Sequence, residues 1–240
     1  EVGRGAEIHR RSREVTFRRL IIEEWPCTLM QVFGTAEGLL SFTSPDDDVA
    51  VIARCQGTPV SPADEVKIVD ERDEEVPTGV FGELLSRGPY TIDGYYMAEE
   101  ANRTSFTEDG FYRTGDKAMW MENGRLRMGG RIKEQINRAG EKIMPSEVEG
   151  YLCQHPNIKE AAVVGVPDEV LGNRICAYVM LEVEKQVDLR EIHRFLKSIG
   201  VAFYKLPDQV ESIDFWPLTS VGKIDKKVLV ERATKKEREI

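Results

Sequence analysis

The apolar pattern changes type once along the 240 residues, at Gly129-Gly130. Upstream, segments 65–70 (EVKIVD) and 80–86 (VFGELLS) alternate or run apolar between Pro, Gly and Asp turns, which predicts strands. Glu122-Asn123-Gly124 lies between Met119-Trp120-Met121 and Leu126-Arg127-Met128, and Asn-Gly accepts the positive φ of a tight hairpin. Leu29 to Phe33 is a short apolar run ending in Gly34, as a buried strand would. Residues 50–130 therefore read as mostly β, and 8–24 as an arginine-rich helix. No internal repeat or low-complexity tract occurs.

Downstream the pattern mixes periods. Ser146 and Glu149 form a capping-box signature for a helix that ends before Pro156. Residues 160–166 and 175–182 read as strands. Asp188 with Glu191 caps a second helix with Leu189, Ile192, Phe195, Leu196 and Ile199 on one face. Gly200 follows as its C-terminal stop. Residues 209–213 predict another strand, and the charged tail over 225–239 a helix. The chain thus divides into 1–130 and a small α+β domain over 131–240.

Charge supports that division. Residues 1–130 carry 15 Lys and Arg against 24 Asp and Glu, whereas 131–240 carry 18 of each. The net −9 excludes a general nucleic-acid binder, which needs a basic face. No run approaches the ~18 apolar residues of a membrane span, and no signal peptide is visible. Cys27, Cys55, Cys153 and Cys176 form no CxxC pair and read as reduced thiols of a cytoplasmic protein. The chain opens on Glu1-Val2-Gly3 without Met, which suggests a truncated product or a fragmentary gene.

Four segments carry candidate chemistry. In Gln31-Val-Phe-Gly-Thr-Ala-Glu-Gly38 a strand ends in glycine, which admits close approach of a ligand. The carboxylate of Glu37 follows, of the kind that holds Mg2+ beside phosphates. In Tyr112-Arg-Thr-Gly-Asp116 a carboxylate after a glycine turn could accept both hydroxyls of a ribose. Gly130 to Lys142 (GRIKEQINRAGEK) is polar and cationic and suits a hinge followed by a mobile loop. In Leu218-Thr-Ser-Val-Gly-Lys-Ile-Asp225 a flexible ammonium on a loop could reach developing negative charge. Taken alone, each admits a plainer reading: a glycine turn, a turn aspartate, a solvated linker, a surface lysine.

Taken together, in this order and spacing, the four segments resemble the late core motifs of the adenylate-forming superfamily. Gly82 to Tyr96 (GELLSRGPYTIDGYY) matches a further motif between the first and second. The phrasing of QVFGTAEG, RGPYTIDGYY, SFTEDGFYRTGD and GRIKEQINRAGEK is similar to the aryl-acid ligases of siderophore synthesis, which adenylate 2,3-dihydroxybenzoate or salicylate. The match runs from Cys27 to about Val230, and residues 1–26 match poorly.

The resemblance implies an α/β and α+β fold. Residues 1–130 would be the remnant of a large N-terminal adenylation domain with a β-rich subdomain. Residues 131–240 would be its small lid domain. It implies ATP and Mg2+ as cofactors, and the phosphopantetheine arm of an aryl carrier protein as partner. It has Phe33 stack on or border the adenine, with Gly34, Thr35 and Ala36 along the nucleotide, Glu37 on magnesium, and Asp116 with Arg131 on the ribose. Lys133 would be the hinge. Lys223 would bridge the substrate carboxylate and the α-phosphate. Gly140, Glu141 and Lys142 would line the pantetheine tunnel, although Ala139 stands where the family usually has glycine. Val32 and Leu40 would line the aryl pocket, where Leu40 leaves less room than the family's common valine and leans toward salicylate.

The superfamily's phosphate loop and most of the aryl pocket would lie upstream of residue 1. The isolated chain is therefore expected to be inactive. Two rival expectations stand beside an active ligase: a truncated, non-catalytic paralogue that binds a carrier protein, and an acyl-CoA synthetase using free CoA.

Overall fold

The structure is a computed structural model that describes residues 28–220 and 222–238. The expected helix over 8–24 and Cys27 lie outside the described residues. The chain divides into two compact units, one reaching to Lys133 and the other running from Glu134.

Among the described residues the first unit is built on two antiparallel sheets. One holds β1 (Val32–Gly34), β2 (Leu40–Phe42) and β3 (Thr58–Pro59) in that order. The other holds β4 (Glu65–Val69), β5 (Gly82–Arg87), β6 (Tyr112–Trp120) and β7 (Leu126–Arg131). The Asn123-Gly124 hairpin forms as expected: the Gly124 N–H donates to the Met121 carbonyl, with Gly124 at φ 72°. Leu39, Ile68, Leu84, Ala118 and Leu126 make the core, with Phe33 packed against it. Two short helices were not predicted, α1 (Val49–Ile52) and α2 (Glu99–Ser105). Neither spans the two full turns over which an apolar period becomes visible.

The run before Gly34 differs from the expectation of a buried strand. Only Val32–Gly34 pair, and Val32 is 55% exposed. Among the described residues β1 is an edge strand, so only its alternate side chain, Phe33, turns to the core.

The second unit is a three-stranded sheet with helices on both faces. The strands β10 (Ile158–Asp168) and β11 (Gly172–Leu181) form a long hairpin, and β12 (Gln209–Ser212) joins β11 in parallel. One face packs Val163, Ile175, Ala177 and Val179 against Val148 and Leu152 of α3 (Pro145–Leu152) and Ile192 and Leu196 of α4 (Leu189–Ser198). The other face packs Ala162, Val164, Val166 and Tyr178 against Leu229 and Ala233 of α5 (Lys226–Arg238). Burial on both faces explains why these strands read as continuous apolar runs.

The helix ends test the capping expectations. At α4 the Asp188 carboxylate accepts the Glu191 N–H at 2.7 Å. Gly200, at φ 81°, ends α4: its N–H donates to Lys197 and that of Val201 to Leu196, a Schellman closure. The capping box at Ser146 does not form. The N-cap of helix α3 is Met144, two residues before Ser146, with the helix starting at Pro145 and no side-chain cap bond from Met144. Glu149 instead accepts the Val163 N–H at 2.8 Å and pairs with Lys226.

The polar stretch after Gly129-Gly130 is not an irregular linker. A 3-10 turn (Ile132–Glu134) is followed by β8 (Ile136–Arg138) and β9 (Glu141–Ile143), a hairpin closed by Ala139-Gly140. Both turn residues have positive φ, 51° and 86°, the geometry of a type I′ turn.

Candidate functional site

The segment around Glu37 is a clasp. After β1 the Thr35 N–H donates to the Leu39 carbonyl at 2.9 Å and the Gly38 N–H to the Thr35 carbonyl, which turns Glu37 away from the ladder. Gly38 lies against Thr91: a Cβ there would sit 2.7 Å from the Thr91 Cα, so only glycine fits. The Ile92 N–H donates to the Glu37 carbonyl at 2.9 Å. The Tyr95 hydroxyl donates to Glu37 Oε1 at 2.8 Å, and the Tyr112 hydroxyl lies 3.4 Å from that of Tyr95. Burial, with the Tyr95 hydroxyl and Glu37 behind it, pushes the Tyr112 phenol well above its ordinary range. Tyr112 lowers the Tyr95 phenol, but burial and the Glu37 carboxylate outweigh it, so Tyr95 also stays protonated.

Asp116 does not follow a turn, as the glycine before it suggested. It lies within β6, where the register slips: Glu83 pairs with Lys117, but Leu85 pairs with Arg113. The strand therefore bulges at Thr114-Gly115-Asp116, with Gly115 at φ 68°. Hydrogen bonding continues on both sides of the bulge, which is why the chain does not reverse. Thr114 Oγ1 donates to the Leu84 carbonyl and accepts the Asp116 N–H. A second slip, between Lys117 and Ala118, absorbs Gly129-Gly130 into β7 and sets Arg131 opposite Asp116. Arg131 Nε lies 2.9 Å from Asp116 Oδ1; the arginine side chain is 48% exposed and the carboxylate 7%.

The residues expected at the aryl pocket are also brought together. In the β1–β2 ladder Val32 faces Phe42 and Gly34 faces Leu40, so Val32 and Leu40 are diagonal neighbours on one face. A Cβ on Gly34 would meet Leu40 Cδ1 at 2.9 Å, so the glycine admits the leucine. Thr35 and Ala36 occupy the turn before Glu37, while Phe33 packs on the opposite, core face. Lys133 lies exposed in the 3-10 turn.

In the second unit Lys223 is exposed on a small hairpin loop closed by the Leu218–Ile224 bridge. The Thr219 N–H donates to the Lys223 carbonyl at 2.7 Å, and Thr219 Oγ1 accepts the Lys223 N–H. Gly140, Glu141 and Lys142 form the exposed tip of the β8–β9 hairpin. Arg138, just before the turn and opposite Glu141, braces this end of the hairpin by pairing with Asp208 through both Nε and Nη2.

Two groups carry no local mark in the sequence. Tyr95 and Tyr112 stand in the matched motifs, but nothing near them shows them as partners of Glu37. Lys226 pairs with Glu134 at 2.9 Å and Glu149 at 2.8 Å, and no periodicity joins those three positions.

The carboxylate chemistry limits what metal could be held. Among the described residues no group of three or more His, Cys, Asp or Glu side chains is placed to hold a metal ion. A lone carboxylate suits Mg2+, which is held by one or two carboxylates together with waters and phosphates. Glu37 fits that mode. Among the described residues no helix is long and apolar enough to cross a membrane.

The model of the family described as AMP-binding enzyme matches residues 5–96, and that of the AMP-binding enzyme C-terminal domain matches residues 147–223. The chain belongs to the adenylate-forming, AMP-binding enzyme family. The AMP-binding enzyme match begins at residue 5, so it takes in most of residues 1–26, where the motifs match poorly. The chain is 49% identical over 210 residues to the 2,3-dihydroxybenzoate-AMP ligase of Bacillus subtilis (strain 168), covering 88% of this chain and 39% of that one. It is 48% identical over 202 residues to a salicylyl-CoA synthase / salicylate adenylyltransferase of a Streptomyces species, covering 84% of this chain and 36% of that one. Among solved structures, ATP-bound MatB from Rhodopseudomonas palustris has a TM-score of 0.83 at 26% identity, covering 91% of this chain and 43% of the other. The chain thus spans about two-fifths of the length of these relatives.

Proposed function

We propose that the chain is the C-terminal portion of an ATP-dependent aryl-acid–AMP ligase of siderophore synthesis. It would adenylate 2,3-dihydroxybenzoate or salicylate and pass the acyl group to the phosphopantetheine thiol of an aryl carrier protein. The observation that carries the adenylation is the Asp116–Arg131 pair, 2.9 Å apart where the strand bulges, a carboxylate of the kind that accepts the hydroxyls of a ribose. The choice of an aryl acid rests on the relatives' substrates.

In this reading the acid's carboxylate oxygen attacks the α-phosphorus of ATP, and the bond to the bridging oxygen of pyrophosphate breaks. No protein nucleophile is needed, so positioning and charge stabilisation supply the rate. Asp116 accepts the ribose hydroxyls while Arg131 fixes the carboxylate. Gly34, Thr35 and Ala36 run along the nucleotide. Phe33, partly buried against the core, stacks on or borders the adenine. Glu37 holds Mg2+, which neutralises phosphate charge when bound. Val32 and Leu40 face the ring of the acid, and Lys223 reaches the carboxylate and α-phosphate. Lys133 is the hinge between a large domain ending near 130 and a lid over 131–240. After it turns, the tip at Gly140, Glu141 and Lys142 lines the pantetheine path.

Acid-dependent ATP–pyrophosphate exchange by the full-length protein tests the reading. Exchange with dihydroxybenzoate or salicylate is expected, and exchange with no benzoate would overturn it. The isolated chain is expected to show none. A second reading, transfer to free CoA, is favoured by the name of the Streptomyces relative. Release of acyl-CoA without carrier protein would select it.

A further inference from the structure

The clasp around Glu37 reaches beyond that residue. Segment 92–95 holds it from two sides: the Ile92 N–H donates to its carbonyl and the Tyr95 hydroxyl to its carboxylate. Tyr95 is itself fixed through its backbone. Its N–H donates to Asn102 Oδ1 at 2.7 Å, and Asn102 Nδ2 donates to its carbonyl at 2.9 Å. Asn102 lies on α2, so the helix sets where Tyr95 stands. Phe106 packs against the rings of both Tyr95 and Tyr112, at 6.1 and 5.5 Å between centroids. Tyr112 and Asp116 occupy alternate inward positions on β6, so the tyrosine pair joins Glu37 to the strand that carries Asp116.

We infer that Tyr95 is a positioning residue. Through its hydroxyl on Glu37 Oε1, backed by Tyr112 and clamped by Asn102, it fixes the carboxylate that takes the metal of a metal–nucleotide complex. The inference rests on the proposed adenylation. A carboxylate on a flexible side chain loses rotamer freedom when it takes a metal. A hydroxyl that holds one oxygen beforehand removes part of that cost and leaves the other oxygen for the ion. The bond is charge-assisted, the stronger kind.

The test uses Mn2+ with ATP as probe, in the full-length protein. Bound Mn2+ is counted by electron paramagnetic resonance, alongside the thermal midpoint. Tyr95→Phe is expected to weaken Mn2+ binding in the presence of ATP by about tenfold, the usual size of a lost hydrogen bond to a charged group. ATP binding without metal should change by less than twofold, and the metal concentration giving half-maximal exchange should rise. Tyr112→Phe leaves the Tyr95 bond in place and is expected to weaken Mn2+ binding about twofold. It supplies the reading if Tyr95→Phe fails to fold, and wild-type affinity would then count against the inference. Unchanged Mn2+ affinity in a folded Tyr95→Phe would overturn it, as would an equal loss of metal-free ATP binding. Glu37→Gln separates the layers. If it loses Mn2+ while Tyr95→Phe does not, the positioning role fails and the adenylation reading stands. If Glu37→Gln binds Mn2+ normally, the placement of the metal on Glu37 fails first.

Discussion

The Lys226 ammonium lies 2.8 Å from Glu149 Oε1 and is also paired with Glu134, the residue after Lys133. It fastens the start of α5, three residues after Lys223, to α3 and to the head of the second unit. Burial lowers the Lys226 pKa, but Glu149 and Glu134 outweigh it and hold it above the ordinary 10.5. Because the folded value is raised, the cluster's contribution is complete below about pH 10.5 and is lost as pH rises through the folded value. Lys226→Met should cost about 2 kcal/mol at neutral pH, less than a fully buried pair because these groups are partly solvated. Urea unfolding at pH 7 and pH 11 checks this: the gap between wild type and variant should narrow at the higher pH.

Ala139 takes a left-handed φ of 51° in a two-residue turn. That conformation costs a non-glycine residue ~1–2 kcal/mol, and glycine returns ~0.5–1 of it as chain entropy. Ala139→Gly should therefore stabilise the second unit by about 0.5–1 kcal/mol, read as a higher urea midpoint with unchanged slope. If the hairpin tip meets pantetheine, the same variant should also alter thioester transfer more than adenylation.

In the full-length protein, Lys223→Ala should slow the proposed acid-dependent pyrophosphate exchange by about two orders of magnitude, the usual loss for one charge-stabilising donor. The side chain is exposed, so unfolding free energy should stay within about 0.5 kcal/mol. Thioester formation from preformed acyl adenylate should be affected far less. Equal loss in both half-reactions would contradict its assignment to adenylation.

Asp116→Asn keeps the shape of the bulge but removes the charge facing Arg131. In the full-length protein the proposed exchange activity should fall by about tenfold or more, mainly through KM for ATP. Destabilisation should be about 1–2 kcal/mol, since the arginine is half exposed and can turn to water. Steady-state kinetics over ATP concentration, with a urea titration alongside, separates the two effects.

His155 is buried against Phe195, with Glu191 3.3 Å away. Burial holds its pKa below the usual 6.5, although Glu191 pulls the other way. With a depressed folded value, the neutral imidazole's contribution is present above about pH 6.5. It is lost as pH falls toward the folded value, because the unfolded chain binds the proton first. Unfolding free energy measured from pH 7.5 to 5 should decline, and His155→Gln should flatten that decline.

Features set by neighbouring residues were legible in the sequence. Asn123-Gly124 turns the chain because both residues tolerate the required backbone, and Asp188 reaches only to Glu191. Ala139-Gly140 was not read as a hairpin, because alanine hides the positive φ that the rest of the fold imposes. The Ser146 capping box misled for a related reason. Pro145 starts the helix first, and Glu149 is drawn to Val163 and Lys226, partners no local pattern announces.

The family, the order of motifs and the two-part character of the chain are legible in residue types and spacing alone. That Gly115 makes a bulge and not a turn, that Arg131 faces Asp116, and that Tyr95 holds Glu37 emerge only in the folded chain. Those depend on strand register and on contacts between distant segments, and a slip of one position would turn each side chain to the other face.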